Sequence, residues 1–398
     1  MTTSLPAPAP LPFGQSPERP FDPPAGLAEL RAEHPLSRLT YNDGHIGWLV
    51  TNRELIRAVM ADPRFSSRTE LMHFPFPGVP TDSTPPAAPP GAFVDMDAPE
   101  HTRYRKLLVG QFTVRRMRQL TQRITEITAD RLAAMRAHGP GVDLVEAFAL
   151  PIPSLVICEL LGVPYDERAH FQQHAATVVG ESLDMAAWGD AFRALQEYLG
   201  VLVTAKRANP TDDMLSGLAE SDLTDEELTN IGVVLLGAGI DTTANVLGLG
   251  AAALLRDPRQ VAALLDDPDR AVEELLRYLT IAPTTVRAAL TDVELGGQLI
   301  RAGDSVTLSL ESGNRDSAHF TEADSLDVGR GGSGHLAFGH GIHQCLGQQL
   351  ARVELRVAFP ALFKEFPSLR LAVADREVPY RTGGLMRGVR ALPVAWSD

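Results

Sequence analysis

His335-Leu-Ala-Phe-Gly-His-Gly-Ile-His-Gln-Cys-Leu-Gly-Gln-Gln-Leu-Ala-Arg352 decides the reading of this chain. It runs as a strand end, a glycine-rich turn, a cysteine and then a helix. From Leu346 the apolar residues Leu350, Val353, Val357 and Leu362 recur at close to helical spacing, which predicts a helix beginning just after Cys345. A cysteine at a helix N-terminus meets free backbone N–H groups and the positive end of the helix dipole, and both stabilise a thiolate. Gly339 and Gly341 permit a tight turn and close approach to something flat or bulky. Such a thiolate is a metal ligand, a nucleophile, or merely a small buried hydrophobe. A zinc site is a further option, since His335, His340 and His343 lie close by. Their spacing matches none of the usual zinc patterns, and no second cysteine is near.

Phe338-Gly-His-Gly-Ile-His-Gln-Cys-Leu-Gly347 resembles the haem-binding loop of the cytochrome P450 monooxygenases, Phe-Gly-x-Gly-x-His-x-Cys-x-Gly, with six positions matched at fixed spacing. The resemblance implies that Cys345 is the axial thiolate on the iron of haem b. It places Phe338 and Gly347 at the haem and has His343 bond a propionate. A thiolate ligand pushes electron density onto the iron and favours O–O cleavage.

The composition is that of an ordinary globular protein: 398 residues, 44% hydrophobic and 22% charged. With 36 basic against 50 acidic residues the net charge is −14, which excludes an overall basic footprint for nucleic acid. Cys158 and Cys345 are far apart, and Cys158, in Leu155-Val-Ile-Cys-Glu-Leu-Leu161, reads as core packing. Nothing suggests a disulfide-stapled secreted chain. Residues 1–24 are rich in proline and alanine, with no basic n-region, apolar h-region or anchor helix. They predict an extended lead-in, partly disordered at its tip, on a cytoplasmic protein that does not enter a membrane.

Residues 25–398 read as a single domain, mainly α with a smaller β-rich region, which the resemblance identifies as the cytochrome P450 fold. Residues 26–65 predict a helix, a strand pair and a second helix. A proline-rich loop, residues 75–90, follows Phe74 and holds Phe76, Pro77 and Val79. So long a loop is functional or a surface insertion, and the resemblance implies that Phe74 and Phe76 contact substrate. Asp97-Ala-Pro-Glu-His-Thr-Arg-Tyr-Arg105 predicts a helix starting at Pro99, with His101 and Arg105 on one face. Alone, that pair suits two carboxylates or a solvated face; the family's His-x-x-x-Arg motif implies haem propionates. Arg115, Arg116 and Arg118 form a basic cluster in an acidic chain. It is either a docking patch for an acidic electron donor or surface decoration. Residues 117–161 continue as helices broken at Gly139-Pro-Gly141. Residues 166–206 form two helices joined near Gly180-Glu-Ser-Leu-Asp184, a lid over the substrate by resemblance.

Thr224-Asp-Glu-Glu227 is a capping box before an apolar run that reaches Leu255 and stops at Asp257-Pro258. The helix is roughly 45–50 Å long and apolar nearly all round, hence buried. It is long enough to span a bilayer. Asp241, Thr242, Thr243 and Asn245 at its centre argue against insertion. Gly237, Ala238 and Gly239 remove bulk from mid-helix despite the poor propensity of glycine, which allows a flat macrocycle to approach. Asp241 and Thr242 set an acid beside an alcohol in an apolar interior, a pair able to relay protons. The structural alternative is that Thr242 back-bonds to its own helix and Asp241 pairs with a base. Ala238-Gly-Ile-Asp-Thr-Thr243 resembles the family's oxygen-binding groove, which implies the relay and sets Ile240 at the substrate.

Glu274 and Arg277 lie three apart on a helix and match the family's structural Glu-x-x-Arg. Its third member is Arg315 or Arg330, with Arg330 preferred for its place shortly upstream of the cysteine loop. Pro283, assigned to the pocket, precedes a strand at residues 284–290 in which Arg287 matches a propionate-binding arginine. Gly296-Gly297 signals a hairpin. Leu385 and Met386 fall in a second hairpin that lines the pocket. The landmarks follow the family order from Asp97 to Leu350. The resemblance therefore implies a monomeric actinobacterial enzyme of secondary metabolism. It would insert one oxygen atom from O2 into a C–H bond of a bulky metabolite, with a macrolide the leading class. Electrons would come from NAD(P)H through ferredoxin reductase and a ferredoxin bound on the cysteine face, near Arg115, Arg116 and Arg118. Epoxidation of the same class and a non-catalytic haem-binding sensor are the alternatives; substrate-dependent NADPH consumption separates turnover from sensing.

Overall fold

Helices form where apolar residues recur at helical spacing and a polar side chain closes the first turn. The computed structural model describes residues 6–77, 84–179, 185–383 and 385–397; Val79 and residues 180–184 lie outside them. In chain order the helices are α1 (Leu27–Glu33), α2 (Arg53–Ala61), α3 (Glu100–Val109), α4 (Val114–His138), α5 (Pro151–Leu161), α6 (Arg168–Val179), α7 (Met185–Ala208), α8 (Met214–Ala219), α9 (Asp225–Leu254), α10 (Pro258–Asp266), α11 (Pro268–Leu279), α12 (Leu310–Gly313) and α13 (Gln348–Glu365). The strands are β1 (Ala9–Pro10), β2 (Leu36–Thr40), β3 (Ile46–Val50), β4 (Phe65–Ser66), β5 (Val142–Asp143), β6 (Thr284–Ala289), β7 (Val293–Leu295), β8 (Gln298–Ile300), β9 (Ser305–Ser309), β10 (Arg370–Leu371), β11 (Tyr380–Arg381), β12 (Gly388–Val389) and β13 (Pro393–Ala395).

Helix α9 organises the molecule. Thr224 Oγ1 accepts from the Glu227 N–H at 3.2 Å, and Glu227 Oε2 accepts from the Thr224 N–H at 2.7 Å, closing the capping box. Its 30 residues extend about 45 Å and pack on α5, α7, α11 and α13. By length and composition α9 would cross a membrane. Here it is a core helix, with Leu236, Ile240, Leu247 and Ala251 fully enclosed. The main apolar cluster surrounds it.

The largest sheet has the order β1-β2-β3-β9-β6-β4. Its inner strands β9 and β6 are antiparallel, with Arg287 opposite Val306, so Arg287 is carried on a buried strand. A second apolar cluster lies between this sheet and α2. Strands β11 and β12 form the hairpin expected around Leu385 and Met386, with Arg381 opposite Gly388. The described part of the proline-rich lead-in is strapped to the domain. Strand β1 runs parallel to β2, the Gln15 N–H donates to the Thr382 carbonyl at 2.9 Å, and Phe21 is buried against Tyr278 and Tyr380.

Candidate active site

The cysteine loop is built by two left-handed glycines. Gly339 and Gly341 have φ of 68° and 75°, a region that side chains disfavour. A Cβ on Gly341 would overlap the Met60 carbonyl oxygen, so the bulky neighbour at this turn is the backbone of α2. The Cys345 N–H donates to the Phe338 carbonyl at 2.8 Å and closes the loop. Helix α13 starts at Gln348, slightly later than the apolar spacing suggested, with Gly347 as its cap. Burial pushes the Cys345 thiol up, opposed by the Gly347 and Gln348 N–H groups and by Arg105 and Arg352. The helix-end argument thus has the right sign, but desolvation outweighs it. A directly bound cation is what would restore the thiolate.

Beside this loop four nitrogen-bearing side chains converge from three elements. The His101 and His343 rings stand 4.1 Å apart. His101 Nδ1 and His343 Nε2 are buried and have no hydrogen-bond partner among the described residues. Burial drives His343 down to about 3, helped by His101, Arg287 and Arg105. Burial likewise lowers His101 and Arg105. Arg287, from β6, is brought down to about 10 by burial, opposed by Asp97 and Asp95. Orphaned buried polar atoms cost about 1–3 kcal/mol each, so this cluster calls for an anion, and two carboxylates suit it. Arg287 and His343 also face a cavity of about 570 Å³, flanked by Met60, Phe65, Asp95 and Asp97. No group of three or more His, Cys, Asp or Glu side chains able to hold a metal ion occurs among the described residues, which leaves the zinc option without ligands.

The centre of α9 presents two faces. Ala238 is exposed and Thr242 half-exposed, one turn apart, whereas Ile240 and Thr243 are buried. Gly239 belongs to the buried side: a Cβ there would overlap Ile157 of α5. Glycine at 239 therefore serves the close approach of two helices. Ile240 points the same way, into a cleft of about 540 Å³ between α4, α5 and α6, away from the face of Ala238 and Thr242. Both elements of the structural alternative are present. Thr242 Oγ1 donates to the Ala238 carbonyl at 2.7 Å, and Asp241 has a base, Arg381, at 3.2 Å. The open Ala238 face, the buried thiol, the orphaned nitrogens, and a Gly347 whose Cβ would meet nothing within 4 Å together fit an iron porphyrin.

Around the site the support is dense. Glu274 and Arg277 are wholly buried and joined at 2.7 and 2.8 Å, and Arg330 Nη1 donates to Glu274 Oε1 at 2.6 Å. Arg315 goes elsewhere, to the Phe21 and Tyr278 carbonyls. Sequence reasoning missed Glu273, whose carboxylate takes Arg352 of α13 at 2.5 Å and lies 3.2 Å from His335. Burial opposes its ionisation, yet those two partners hold Glu273 down at about 2. It also missed Glu354, wholly buried in α13 and raised well above the usual carboxylate range by desolvation. The pairing of Glu273 with Arg352 spans 79 residues, beyond any local pattern.

Other assigned residues scatter. Phe76 is buried and Phe74 half-buried in an apolar cluster with Phe13, Tyr41 and Val286, so Phe76 is core packing. Pro283 is buried, Leu385 is exposed at the hairpin tip, and Met386 packs on the main core. Arg115 and Arg116 are engaged by Asp212, which leaves Arg118 of the basic trio with no ion pair among the described residues. Phe338 packs under the Arg352 guanidinium.

The family model described as "Cytochrome P450" matches residues 268–387, from α11 through the cysteine loop to the hairpin. Cytochrome P450 105C1 of a Streptomyces species is 48% identical over 98% of this chain and 99% of its own. Pentalenic acid synthase of Streptomyces avermitilis is 41% identical over 98% of both chains. The solved structure of CYP105P1 in complex with filipin I superposes with a TM-score of 0.89 at 42% identity, covering 98% of this chain and 99% of that one. A cysteine loop seated on a carboxylate-seeking cluster, in a fold shared over its whole length with these proteins, makes this chain a member of the cytochrome P450 family, a haem-dependent monooxygenase.

Proposed function

We propose that the protein hydroxylates a bulky polyketide of the macrolide class, with electrons delivered by a ferredoxin. The observation that carries the substrate class is the likeness, over nearly the whole chain, to a structure holding filipin I. The exposed Leu385 and the half-buried Met386 and Phe74 are the proposed substrate contacts on this chain, and Pro283 is omitted because it is buried. Phe76 is omitted because it packs inside the satellite core.

Haem, when bound, activates dioxygen and supplies the oxidising power. Cys345 would hold the iron through its thiolate, with the Gly347 and Gln348 N–H groups turned to the sulfur. His101, Arg105, Arg287 and His343 would take the propionates, which answers the two orphaned imidazole nitrogens. Asp241 and Thr242 would move protons along the open face of α9, the Thr242 hydroxyl releasing the Ala238 carbonyl to do so. Ferredoxin would dock on the face of the cysteine loop, with Arg118 as the available cation of its trio.

The test is titration of the haem-loaded protein with filipin I and, separately, with testosterone, followed by the spin-state change of the haem. A saturable spin-state change with filipin I, and a product one oxygen heavier with ferredoxin, ferredoxin reductase and NADPH, are expected. A response to the steroid alone overturns the macrolide assignment.

A further inference from the structure

We propose that Arg381, on the C-terminal hairpin, is a positioning residue for proton delivery, holding the Asp241 carboxylate and tying it to the part of the chain that faces substrate.

Asp241 and Thr242 are neighbours in sequence, yet each is engaged elsewhere. Asp241 Oδ1 lies 3.2 Å from Arg381 Nη1 and accepts from Asn245 Nδ2 at 2.9 Å. Both charged side chains are largely enclosed, at 18% and 14% exposure, where a pair of opposite charges interacts far more strongly than at the surface. Asn245 is in turn pressed on the hairpin, since a Cβ on Gly388 would overlap its amide oxygen. Arg381 and Gly388 are cross-strand partners in β11 and β12. Acid, amide and cation therefore form one unit between the middle of α9 and the base of the hairpin.

The hairpin has a fixed root and an open tip. Arg387 is buried and pairs with Glu311 at 2.6 Å, and its guanidinium also donates to the Leu279 and Asp22 carbonyls. Across the strands, the Thr382 carbonyl is held by the Gln15 N–H. Leu385, between them, is exposed. A molecule resting on Leu385 and Met386 thus sits a few residues from the cation that holds Asp241. Charge-assisted contacts at this distance fix the direction of a carboxylate as well as its charge. In this arrangement Arg381 acts through Asp241.

This inference rests on the monooxygenase reading, so its test has one arm that needs turnover and one that does not. Haem-loaded wild type, R381Q, R381M, R381K, D241N and D241N/R381Q are compared with filipin I as probe. R381Q and R381M are expected to lower product per NADPH at least about tenfold, within the range of a lost proton-transfer group. The spin-shift Kd should change less than about threefold, the solvent isotope effect should rise, and R381K should recover most of the loss. D241N/R381Q should match D241N to within about twofold, because the two groups form one unit. Multiplying losses in the double variant, or unchanged coupling in R381Q, overturns the proposal. Failure of both neutral variants to take up haem while R381K and D241N do so makes Arg381 a structural residue and overturns it as well. Without turnover, the infrared carboxylate bands that vanish in D241N are expected to move in R381Q, and unmoved bands overturn the proposal. Wild type inert toward filipin I defeats the substrate assignment alone and leaves the infrared comparison to decide Arg381.

Discussion

Gly237→Ala and Gly239→Ala separate the two reasons a helix centre can be rich in glycine. In the middle of a helix alanine is favoured over glycine by about 1 kcal/mol. At position 237 a Cβ meets no atom within 4 Å, so G237A should gain most of that. At position 239 the new methyl would stand 3.0 Å from Ile157 Cγ1 and closer still to its Cδ1. Overpacking of this kind costs about 1–3 kcal/mol, and the end of the isoleucine can swing aside, which favours the lower half. The balance for G239A is a loss of about 0–2 kcal/mol, placing it about 1–3 kcal/mol below G237A. Ile157→Val removes the nearest atom and by itself costs about 0.5–1.5 kcal/mol. In the I157V/G239A protein the clash is relieved, so the pair should show a favourable coupling of about 1 kcal/mol. Urea unfolding of the haem-loaded variants, followed by far-UV circular dichroism, measures all four. G239A as stable as G237A, or strict additivity with I157V, would refute the assignment of Gly239 to the α5–α9 contact.

Glu273→Gln should flatten the acid limb of the stability profile. The folded-state carboxyl is held at about 2, below its ordinary value, so its contribution is complete above about pH 4.5 and is lost as the pH falls toward 2. Discounted for partial exposure this is about 1–3 kcal/mol, read from urea midpoints at pH 7 and pH 3.5; equal pH slopes in wild type and variant contradict it. Thr242→Ala removes the hydroxyl but leaves Asp241 and its partners, so oxygen consumption should continue while product per NADPH falls severalfold. Unchanged coupling removes the hydroxyl from the relay. Arg118→Glu should raise the KM for ferredoxin severalfold at low salt, with the effect fading at high salt, while Arg115→Glu disturbs the contact with Asp212 and should lower stability as well. An unchanged KM in R118E removes the trio from the docking face.

Legibility followed sequence distance. The cysteine loop, the capping box of α9 and the Glu274–Arg277 pair are local patterns, and each reads directly from residues a few positions apart. Strands at 46–50 and 305–309 emerged at the expected bounds because each is a short run rich in β-branched and apolar residues. The third member of the Glu274 cluster could be chosen only because Arg330 stands near the cysteine loop in the chain. What depended on remote packing stayed hidden. The reason for Gly239 is Ile157, the partner of Asp241 is Arg381 at 140 residues' remove, and Arg115 is occupied by Asp212. Phe76 reads as a loop aromatic, yet the lead-in strap buries it through Phe13. For Cys345 the dipole argument was sound, but burial, which periodicity does not show, outweighs it.

The ferrous–carbon monoxide difference spectrum of the full chain, produced with ample haem precursor, tests the central claim most directly. Wild type and Cys158→Ala are predicted to show the red-shifted Soret band of thiolate-ligated haem, and Cys345→Ala to lose it. A wild-type protein without that band, or a Cys345→Ala protein that keeps it, contradicts the account.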